Sequence, residues 1–379
     1  MPRQHPHPPL ASRPTPPVRT GSRPRTAALA GALAALVLPL AACGSSSNDS
    51  SKAADSDAKP SVSAAADAAK DIDLSSVTLQ VGQTGWAQLQ GALKLAGLDN
   101  TPYKVKWPVF PGGDKQLQAL QGGALDAALT SDIPPVFAAA GPAPKWRVVA
   151  IERNSTTLQN VLAGKNSGLT SIAQLKGKKV GYVPATTAQF FLYKLLVQNG
   201  LQWSDIDAVQ LTPQAGVAAL SSGSVDALAT YGTSVIALKQ KGATVIGSGE
   251  DILSGNFPWE ASTALLADPA KSAALVDLLG RVDKAFAYIR DGHEADFAKV
   301  TADATVQPVA QALSQLQANE KQTPSRIVPG AADAIAKEQD VADTFAQLGV
   351  LPKKVDVASY WTDALTASLT AAIPATAAK

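Results

Sequence analysis

From Ile72 onward, short segments rich in β-branched residues alternate with segments rich in alanine and leucine. The first kind is typical of buried strands and the second of helices. The predicted strands are Val77–Gly82, Val105–Phe110, Ala124–Thr130, Val148–Ile151, Leu158–Ala163, Lys179–Val183, Ala208–Leu211, Ala227–Tyr231 and Ala243–Gly247. The helices predicted between them include Ala87–Ala96, Lys115–Leu120, Ala188–Gln198 and Ser234–Lys241. Strands that alternate with helices of this length predict an α/β fold with mainly parallel sheets flanked by helices.

Two separate stretches, residues 111–127 and 213–227, follow the same pattern. Each contains a loop proline, a short amphipathic helix, a glycine where that helix ends and an aspartate that opens a buried strand. The aspartates are Asp126 and Asp226. A Gly-x-x-Asp junction is common in βαβ units, which explains part of the similarity. The matched lengths nevertheless predict two lobes built on one plan.

The chain order predicts how the two lobes are connected. Residues 72–163 form the first part of lobe one, residues 164–260 form lobe two, and residues 261–379 return to lobe one and add C-terminal helices. Two connections between lobes make a hinge, and the cleft at that hinge is a natural ligand site.

The counts of histidine and cysteine restrict the chemistry that the chain can perform. Of three histidines, His5 and His7 lie in the N-terminal leader, so that only His293 belongs to the folded part. The single cysteine is Cys43. A zinc site, a Cys–His nucleophilic pair or a disulfide framework needs more of these residues. We therefore expect no catalytic residues, no metal and no cofactor.

The distribution of charge argues against nucleic acid as a partner. Residues 1–42 contain five arginines and no acidic residue, whereas the rest of the chain has 28 basic and 31 acidic residues. The overall charge of +2 therefore comes from the leader. Without a basic stripe in the remainder, nucleic-acid binding is not expected.

Residues 1–42 have the pattern of a signal peptide. An arginine-rich stretch precedes Ala27–Ala42, which is almost purely apolar. This segment is shorter than the roughly 20 residues that a transmembrane helix needs, and it suits the apolar region of a signal peptide. The chain is therefore expected to be exported.

The apolar segment ends in Leu40-Ala41-Ala42-Cys43-Gly44, which resembles the bacterial lipobox. In that motif the cysteine receives a diacylglyceryl group, so Cys43 is the predicted lipidation site on the outer face of the cytoplasmic membrane. Residues 43–71, rich in Ser, Ala, Asp and Lys, predict a flexible tether. An ordinary cleaved signal peptide with an incidental cysteine, or an uncleaved anchor helix, are the alternatives.

Several motifs, in their order and spacing over about residues 75–362, resemble the ABC-transporter substrate-binding proteins for aliphatic sulfonates, taurine and nitrate. They lie at residues 110–113, 123–126, 131–135, 175–180, 200–206, 223–227, 341–345, 348–352 and 360–361. The resemblance implies a two-lobed periplasmic-binding-protein-like (type II) fold with a small anion in the cleft. It also implies ABC permease subunits as partners; we expect a monomer.

Candidate ligand contacts follow four predicted strands, where helix N-termini direct backbone N–H groups outward. They are Gln83, Thr84 and Trp86 in the first loop, Ser131 and Asp132 in the second, Thr186 and Thr187 in the third, and Tyr231 and Thr233 in the fourth. Phe110, Pro111, Gly112, Asn256 and Trp259 complete the predicted set. Each hydroxyl or carboxyl could instead be a simple helix cap.

The fourth loop departs from the family. Tyr231-Gly232-Thr233 stands where the family has Trp, an acidic residue and Pro, so a charge is missing and the space is larger. An alternative ligand is therefore an aromatic or heterocyclic solute stacked between Trp86, Tyr231 and Trp259. A second alternative is an enzyme on the same fold, similar to pyrimidine-precursor synthases, for which His293 is the one histidine left in the folded part.

Overall fold

A computed structural model describes residues 72–85, 88–330 and 332–373, which form two sheets. The strands are β1 (Thr78–Thr84), β2 (Lys104–Lys106), β3 (Val109–Phe110), β4 (Ala127–Leu129), β5 (Trp146–Arg153), β6 (Gln159–Ala163), β7 (Lys179–Tyr182), β8 (Asp207–Gln210), β9 (Ala227–Tyr231), β10 (Thr244–Ser248), β11 (Asn256–Ser262) and β12 (Arg326–Pro329). The first sheet has the order β12-β5-β11-β4-β1-β2, with β3 also beside β1, and the second has the order β10-β6-β9-β7-β8.

Helices lie between most of these strands and dominate the C-terminal part. They are α1 (Leu89–Leu95), α2 (Gly113–Gln121), α3 (Pro134–Ala139), α4 (Thr187–Gln198), α5 (Pro213–Ser222), α6 (Thr233–Gln240), α7 (Thr263–Leu266), α8 (Pro269–Tyr288), α9 (Glu294–Thr305), α10 (Val309–Gln322), α11 (Ala332–Gln347) and α12 (Thr366–Ala372). In the described part of the chain, no helix is both long and apolar enough to cross a membrane. Cys43 and the predicted leader lie outside the described residues.

The predicted α/β class with two lobes is confirmed, and the pairing within each sheet is mixed. Parallel pairs join β1 to β2, β3 and β4 in the first sheet, and β7 to β8 and β9 in the second. Antiparallel pairs join β11 to β4 and β5, β12 to β5, and β6 to β9 and β10. Strands β5 and β10 lead into the hinge and β6 and β11 lead out of it. Neighbours that enter and leave one hinge run in opposite directions, which explains why the sheets are not parallel throughout.

The chain passes between the sheets at residues 154–158 and again at residues 249–255. Strand pairing thus places β6 in the second sheet and β11 in the first. Both crossings lie N-terminal to the predicted lobe boundaries at 163/164 and 260/261. The sequence pattern could not separate these strands, because buried strands look alike on either side of a hinge.

The two crossings are bonded to each other. The Asn154 N–H donates to the Gly255 carbonyl at 3.0 Å, and the Gly249 N–H donates to the Gln159 carbonyl at 2.7 Å. The Thr156 hydroxyl donates to the Glu250 carbonyl at 3.3 Å. The hinge is therefore a pair of linked connections.

The repeated Gly-x-x-Asp motif has the same place in both lobes. Asp126 accepts a hydrogen bond from the Gln80 N–H at 2.8 Å, and Asp226 accepts one from the Lys179 N–H at 2.8 Å. Each aspartate thus joins the strand that it precedes, β4 or β9, to a parallel neighbour in the same sheet, β1 or β7.

Each sheet is covered by helices on both faces. Helices α1, α8 and α12 pack on one face of the first sheet, where Leu278 and Leu279 are fully buried. Helices α2, α3 and α11 pack on the other face, around Trp146 and Phe345. In the second sheet α4 covers one face and α5 and α6 cover the other. Burying each large apolar side chain contributes roughly 1.5–3 kcal/mol to the stability of the fold. Each sheet is therefore held firmly by the helices packed on both of its faces.

Candidate functional site

A cleft lies between the two sheets, beside the hinge. Its lining residues are Thr84, Gly112, Gly113, Leu129, Thr130, Ser131, Pro134, Glu152, Gln159, Thr186, Thr187, Tyr231 and Phe257. Six of the predicted site residues are among them, and they come from all four predicted loops and from the start of α2. The carboxyl ends of β1, β4, β7 and β9 therefore meet in one place, as expected for ligand sites in α/β sheets.

The lobe-two wall is formed by the start of α4. The Thr186 hydroxyl accepts from the Ala188 N–H at 3.2 Å and donates to the Val183 carbonyl at 2.8 Å. Ala185 has a left-handed backbone (φ 56°), and its N–H donates to the Gln189 side chain at 2.8 Å. A left-handed non-glycine residue is unusual and persists where its surroundings hold it in place. The turn before α4 is thus fixed in a shape that presents the helix N-terminus to the cleft.

The third loop is also tied to the hinge. The Thr187 hydroxyl donates to the Gln159 side chain at 2.7 Å, and both residues are buried. Because Gln159 opens β6 directly after the first crossing, this bond links the start of α4 to the connection between the lobes.

Three cleft hydroxyls remain available to a ligand. Among the described residues, no hydrogen bond is made by the side-chain oxygens of Thr84, Ser131 or Tyr231. Burial, together with the nearby Asp114 carboxylate, raises the pKa of Tyr231 to about 12, so its hydroxyl keeps its proton at neutral pH. All three are therefore neutral hydrogen-bond donors that face the same space.

One ionisable lining residue, Glu152 on β5, was not predicted. Its side chain is buried, and its Oε1 accepts from the Asn154 side-chain amide at 3.1 Å. Within the described ranges, neither its Oε2 nor the N–H of the Trp259 indole, which acts on this carboxyl, has a partner at full hydrogen-bonding geometry. The pKa of Glu152 is raised to about 7, mainly by burial and to a smaller extent by the Glu320 carboxylate. Hydrogen bonding from Asn154 and the Trp259 indole lowers this pKa and so opposes part of the shift. Glu152 directly follows the predicted strand Val148–Ile151, so part of the signal that marked the four loops was present, but no helix was predicted to start after it.

Five predicted residues lie beside the cleft and do not line it. Gln83 is buried and is not among the lining residues. Phe110 and Pro111 line an outer groove that continues from Thr84 and Tyr231, and Thr233 lies in that groove and in the chamber described below. The Asp132 carboxylate turns away and accepts from the Ser254 hydroxyl at 2.5 Å, while burial raises its pKa to about 6.

The two predicted residues on β11 are buried and have structural roles. Asn256 is buried and accepts a hydrogen bond from Arg153. Trp259 is fully buried in the core, so it is not an exposed aromatic wall of the cleft. Trp86, the other predicted wall, lies outside the described residues.

A larger chamber adjoins the cleft at Gln159, which lines both. One side of it is apolar and comes from α8, the α8–α9 junction, α9 and α10, with Phe286, Ile289, Phe297 and Leu316. The other side is polar and comes from the first crossing and α10. There the Gln315 side chain donates to Thr157 at 2.8 Å, and Asn319 accepts from Thr157 and Ser155. This chamber could hold the body of a ligand whose polar end lies in the cleft.

The one histidine of the folded part is remote from the cleft. His293 lies at the kink between α8 and α9, stacked on Tyr288 with ring centroids 3.7 Å apart. Over the described ranges, no group of three or more His, Cys, Asp or Glu side chains is placed to hold a metal ion.

Comparisons with known proteins agree with this geometry. A family profile described as NMT1/THI5 like matches residues 77–247. An aliphatic sulfonates-binding protein of Escherichia coli (strain K12) is 33% identical over 259 residues, which are 67% of this chain and 78% of that protein. The alkanesulfonate-binding protein of Xanthomonas axonopodis pv. citri, in a structure bound to MOPS, is 28% identical with a TM-score of 0.67, over 75% of this chain and 98% of that one. A desulfurization enzyme that is 17% identical, with a TM-score of 0.56 over 78% of this chain and 99% of its own, shares the fold alone.

Proposed function

The chain belongs to the family of aliphatic sulfonate-binding proteins, and on this premise we propose that it is an extracytoplasmic solute-binding protein of an ABC importer. It captures a small sulfonate-like anion in the cleft between its lobes and delivers it to the permease subunits. The comparisons confirm the resemblance of the sequence motifs to the aliphatic sulfonate-binding family.

The observation that carries this proposal is the set of neutral donors around one space. The hydroxyls of Thr84, Ser131 and Tyr231 are unpaired among the described residues, and the N-terminus of α4 begins at the same cleft. Helix N-termini and hydroxyls bind oxyanions without a paired cation. Such contacts suit a carrier that must release its ligand. The related protein from Xanthomonas axonopodis pv. citri, whose structure holds the sulfonate MOPS, supports the same ligand class.

We expect capture to be coupled to closure of the lobes. Lining residues come from both sheets, so a ligand that contacts all of them stabilises the state in which the lobes are close. A monomer with a closing cleft is sufficient for this role. Catalysis is not part of the proposal, because the relatives named above at 28% and 33% identity are binding proteins.

A lipid anchor at Cys43 with residues 43–71 as a tether would keep the protein at the outer face of the cytoplasmic membrane. The lipobox-like sequence around Cys43 supports this part of the proposal. Replacing Cys43 by Ser should release the exported protein from the membrane fraction. Retention of this variant in the membrane would contradict the anchor.

The second candidate ligand is a larger aromatic or heterocyclic solute, and the chamber favours it. Phe286 and Phe297 line that space, and apolar side chains from three helices surround it. Such a solute does not need Trp259, which is buried in the core.

Calorimetric titration of the purified protein tests the two candidates together. The probes are ethanesulfonate, 2-aminoethanesulfonate (taurine), MOPS, nitrate and sulfate, followed by mass spectrometry of any solute that co-purifies. Sulfonate binding with a 1:1 stoichiometry supports the proposal. If none of these anions binds and an aromatic solute co-purifies, the second candidate replaces it.

A further inference from the structure

Resting on the proposed function, we infer that Glu152 is a specificity-determining residue that selects sulfonates carrying a protonated amine. The preferred ligand is then a zwitterion, whose anionic end meets the cleft hydroxyls and whose ammonium group meets the Glu152 carboxylate.

The position of Glu152 is the first reason. It is 3% exposed and lines the cleft. Within the described residues its Oε2 has no partner at full hydrogen-bonding geometry; the Trp259 indole acts on this carboxyl, but its own N–H is likewise without a partner at that geometry. Buried carboxyl groups are normally paired or hydrogen-bonded, because an unpaired one loses its hydration without compensation. An ammonium group that enters the cleft would supply the missing donor.

The second reason is the charge around Glu152. No Lys, Arg or His is among the described residues that line the cleft. The adjacent Arg153 bonds to Asn256 and to Asp333, and so it is engaged on the other side of β5. The groups that act on Glu152 are Asn154, the Trp259 indole and the carboxylate of Glu320 on α10, and none of them brings a positive charge.

These charges discriminate between two kinds of sulfonate. A simple alkanesulfonate would place its negative charge in the same low-dielectric cleft as the ionised Glu152 carboxylate, and like charges oppose binding there. It would therefore bind well only when Glu152 holds a proton. A zwitterion carries its own compensating charge, and it binds with Glu152 ionised.

The test compares ethanesulfonate with taurine, which differs from it by one amine. Calorimetry is run at about pH 6 and about pH 8, on either side of the Glu152 pKa of about 7. For the natural chain we expect taurine to bind at least about tenfold more tightly than ethanesulfonate at pH 8. Ethanesulfonate affinity should rise about tenfold from pH 8 to pH 6, and taurine affinity should not.

The variant Glu152→Gln tests the same residue directly. Its amide is neutral, so ethanesulfonate should bind equally well at both pH values, and the preference for taurine should disappear. The matched control is Glu294→Gln in the first turn of α9, which lines neither the cleft nor the chamber and should keep the natural selectivity. If Glu152→Gln fails to fold, the comparison of the two ligands at two pH values on the natural chain still tests the role of Glu152.

The outcomes separate this inference from the proposed function. Equal binding of taurine and ethanesulfonate at both pH values overturns the role of Glu152 and leaves sulfonate capture in place. The absence of binding by every sulfonate overturns both.

Discussion

At the scale of single residues, Thr186 and Thr212 have the same task in the fold but different surroundings. Each is the N-cap of a helix in lobe two, and each hydroxyl accepts a backbone N–H at 3.2 Å, from Ala188 and Ala215 respectively. Thr186 lines the cleft, whereas Thr212 does not. This pair therefore allows the cost of losing a cap to be separated from the effect of that cap on the shape of the cleft.

We expect Thr186→Ala to lower the free energy of unfolding by about 1 kcal/mol and to weaken sulfonate binding by about tenfold, because the turn that presents the N-terminus of α4 to the cleft loses both of its Thr186 hydroxyl bonds. Thr212→Ala should also lower the free energy of unfolding by about 1 kcal/mol and leave binding unchanged, because it removes the same kind of N–H acceptor away from the cleft. Calorimetry and urea unfolding measure the two quantities. Equal binding by both variants would show that Thr186 is only a cap.

Glu338 provides a pH-dependent prediction of stability. Its carboxyl is buried and accepts from Tyr360 and Trp361, both at 2.9 Å, and burial raises its pKa to about 8. The folded chain therefore keeps a proton that the unfolded chain releases near the ordinary value of 4.5. Stability from this group is present below about pH 4.5 and is lost as the pH rises towards 8.

Accordingly, the free energy of unfolding should fall between pH 5 and pH 8, and Glu338→Gln should reduce that fall by on the order of 2 kcal/mol. Glu294→Gln, on the surface of α9, should leave it as it is in the natural chain. Urea titrations at the two pH values give the numbers. An unchanged fall in Glu338→Gln would mean that its carboxyl is ionised throughout this range.

At the scale of secondary-structure elements, helix α10 holds the first crossing in place. The Gln322 side chain accepts from the Thr156 N–H at 2.8 Å and donates to the Thr156 hydroxyl at 3.0 Å. Gln339 makes a comparable pair of bonds far from the hinge, to the Val355 carbonyl and the Val357 N–H, both at 3.0 Å. One glutamine thus secures the hinge and the other secures a C-terminal loop.

Gln322→Ala should speed amide hydrogen exchange at residues 154–158 and destabilise the fold by about 1–2 kcal/mol, because the Thr156 N–H loses its acceptor. Gln339→Ala should cost about the same but leave exchange at the crossing unchanged. Exchange at 154–158 that is equally fast in both variants would assign the effect to global destabilisation instead.

The elements also show what sequence patterns can and cannot predict. The predicted strand Val105–Phe110 is divided into β2 and β3 at Trp107-Pro108, because proline has no N–H to donate to a neighbouring strand. Strand β11 escaped prediction because Pro258 interrupts an otherwise strand-like run, although its neighbours provide the pairing. Strand β12 is too short to give a periodic signal.

The site was predictable in part for a related reason. Thr84 and Tyr231 end strands and Ser131, Thr186 and Thr187 follow strands, and because the fold brings strand ends together, sequence order was enough to find them. Gln159 and Phe257 lie at the start of strands, and Glu152 lies at the end of a strand that no helix follows. Their place in the cleft depends on the mixed pairing of the sheets, which local sequence does not encode.

At the scale of the whole molecule, a ligand that contacts both lobes should stabilise them together. A ligand at about 100 times its Kd adds about 2.7 kcal/mol to the free energy of unfolding when it binds only the folded state. Thermal unfolding with and without taurine should therefore show one transition that moves to higher temperature. Thr186→Ala at the same taurine concentration should move less. Two transitions, of which taurine moves only one, would indicate that a single lobe binds the ligand.

The paired connections at the hinge also restrict how the lobes can move. Rotation about an axis along the two segments would separate Asn154 from Gly255 and Gly249 from Gln159, and would break the bonds between them. Bending across both segments keeps those bonds intact. The motion of one lobe relative to the other is then a rotation about one axis. Each closure brings the same side chains of the two lobes opposite each other. Ligand recognition therefore does not require the lobes to sample many relative orientations.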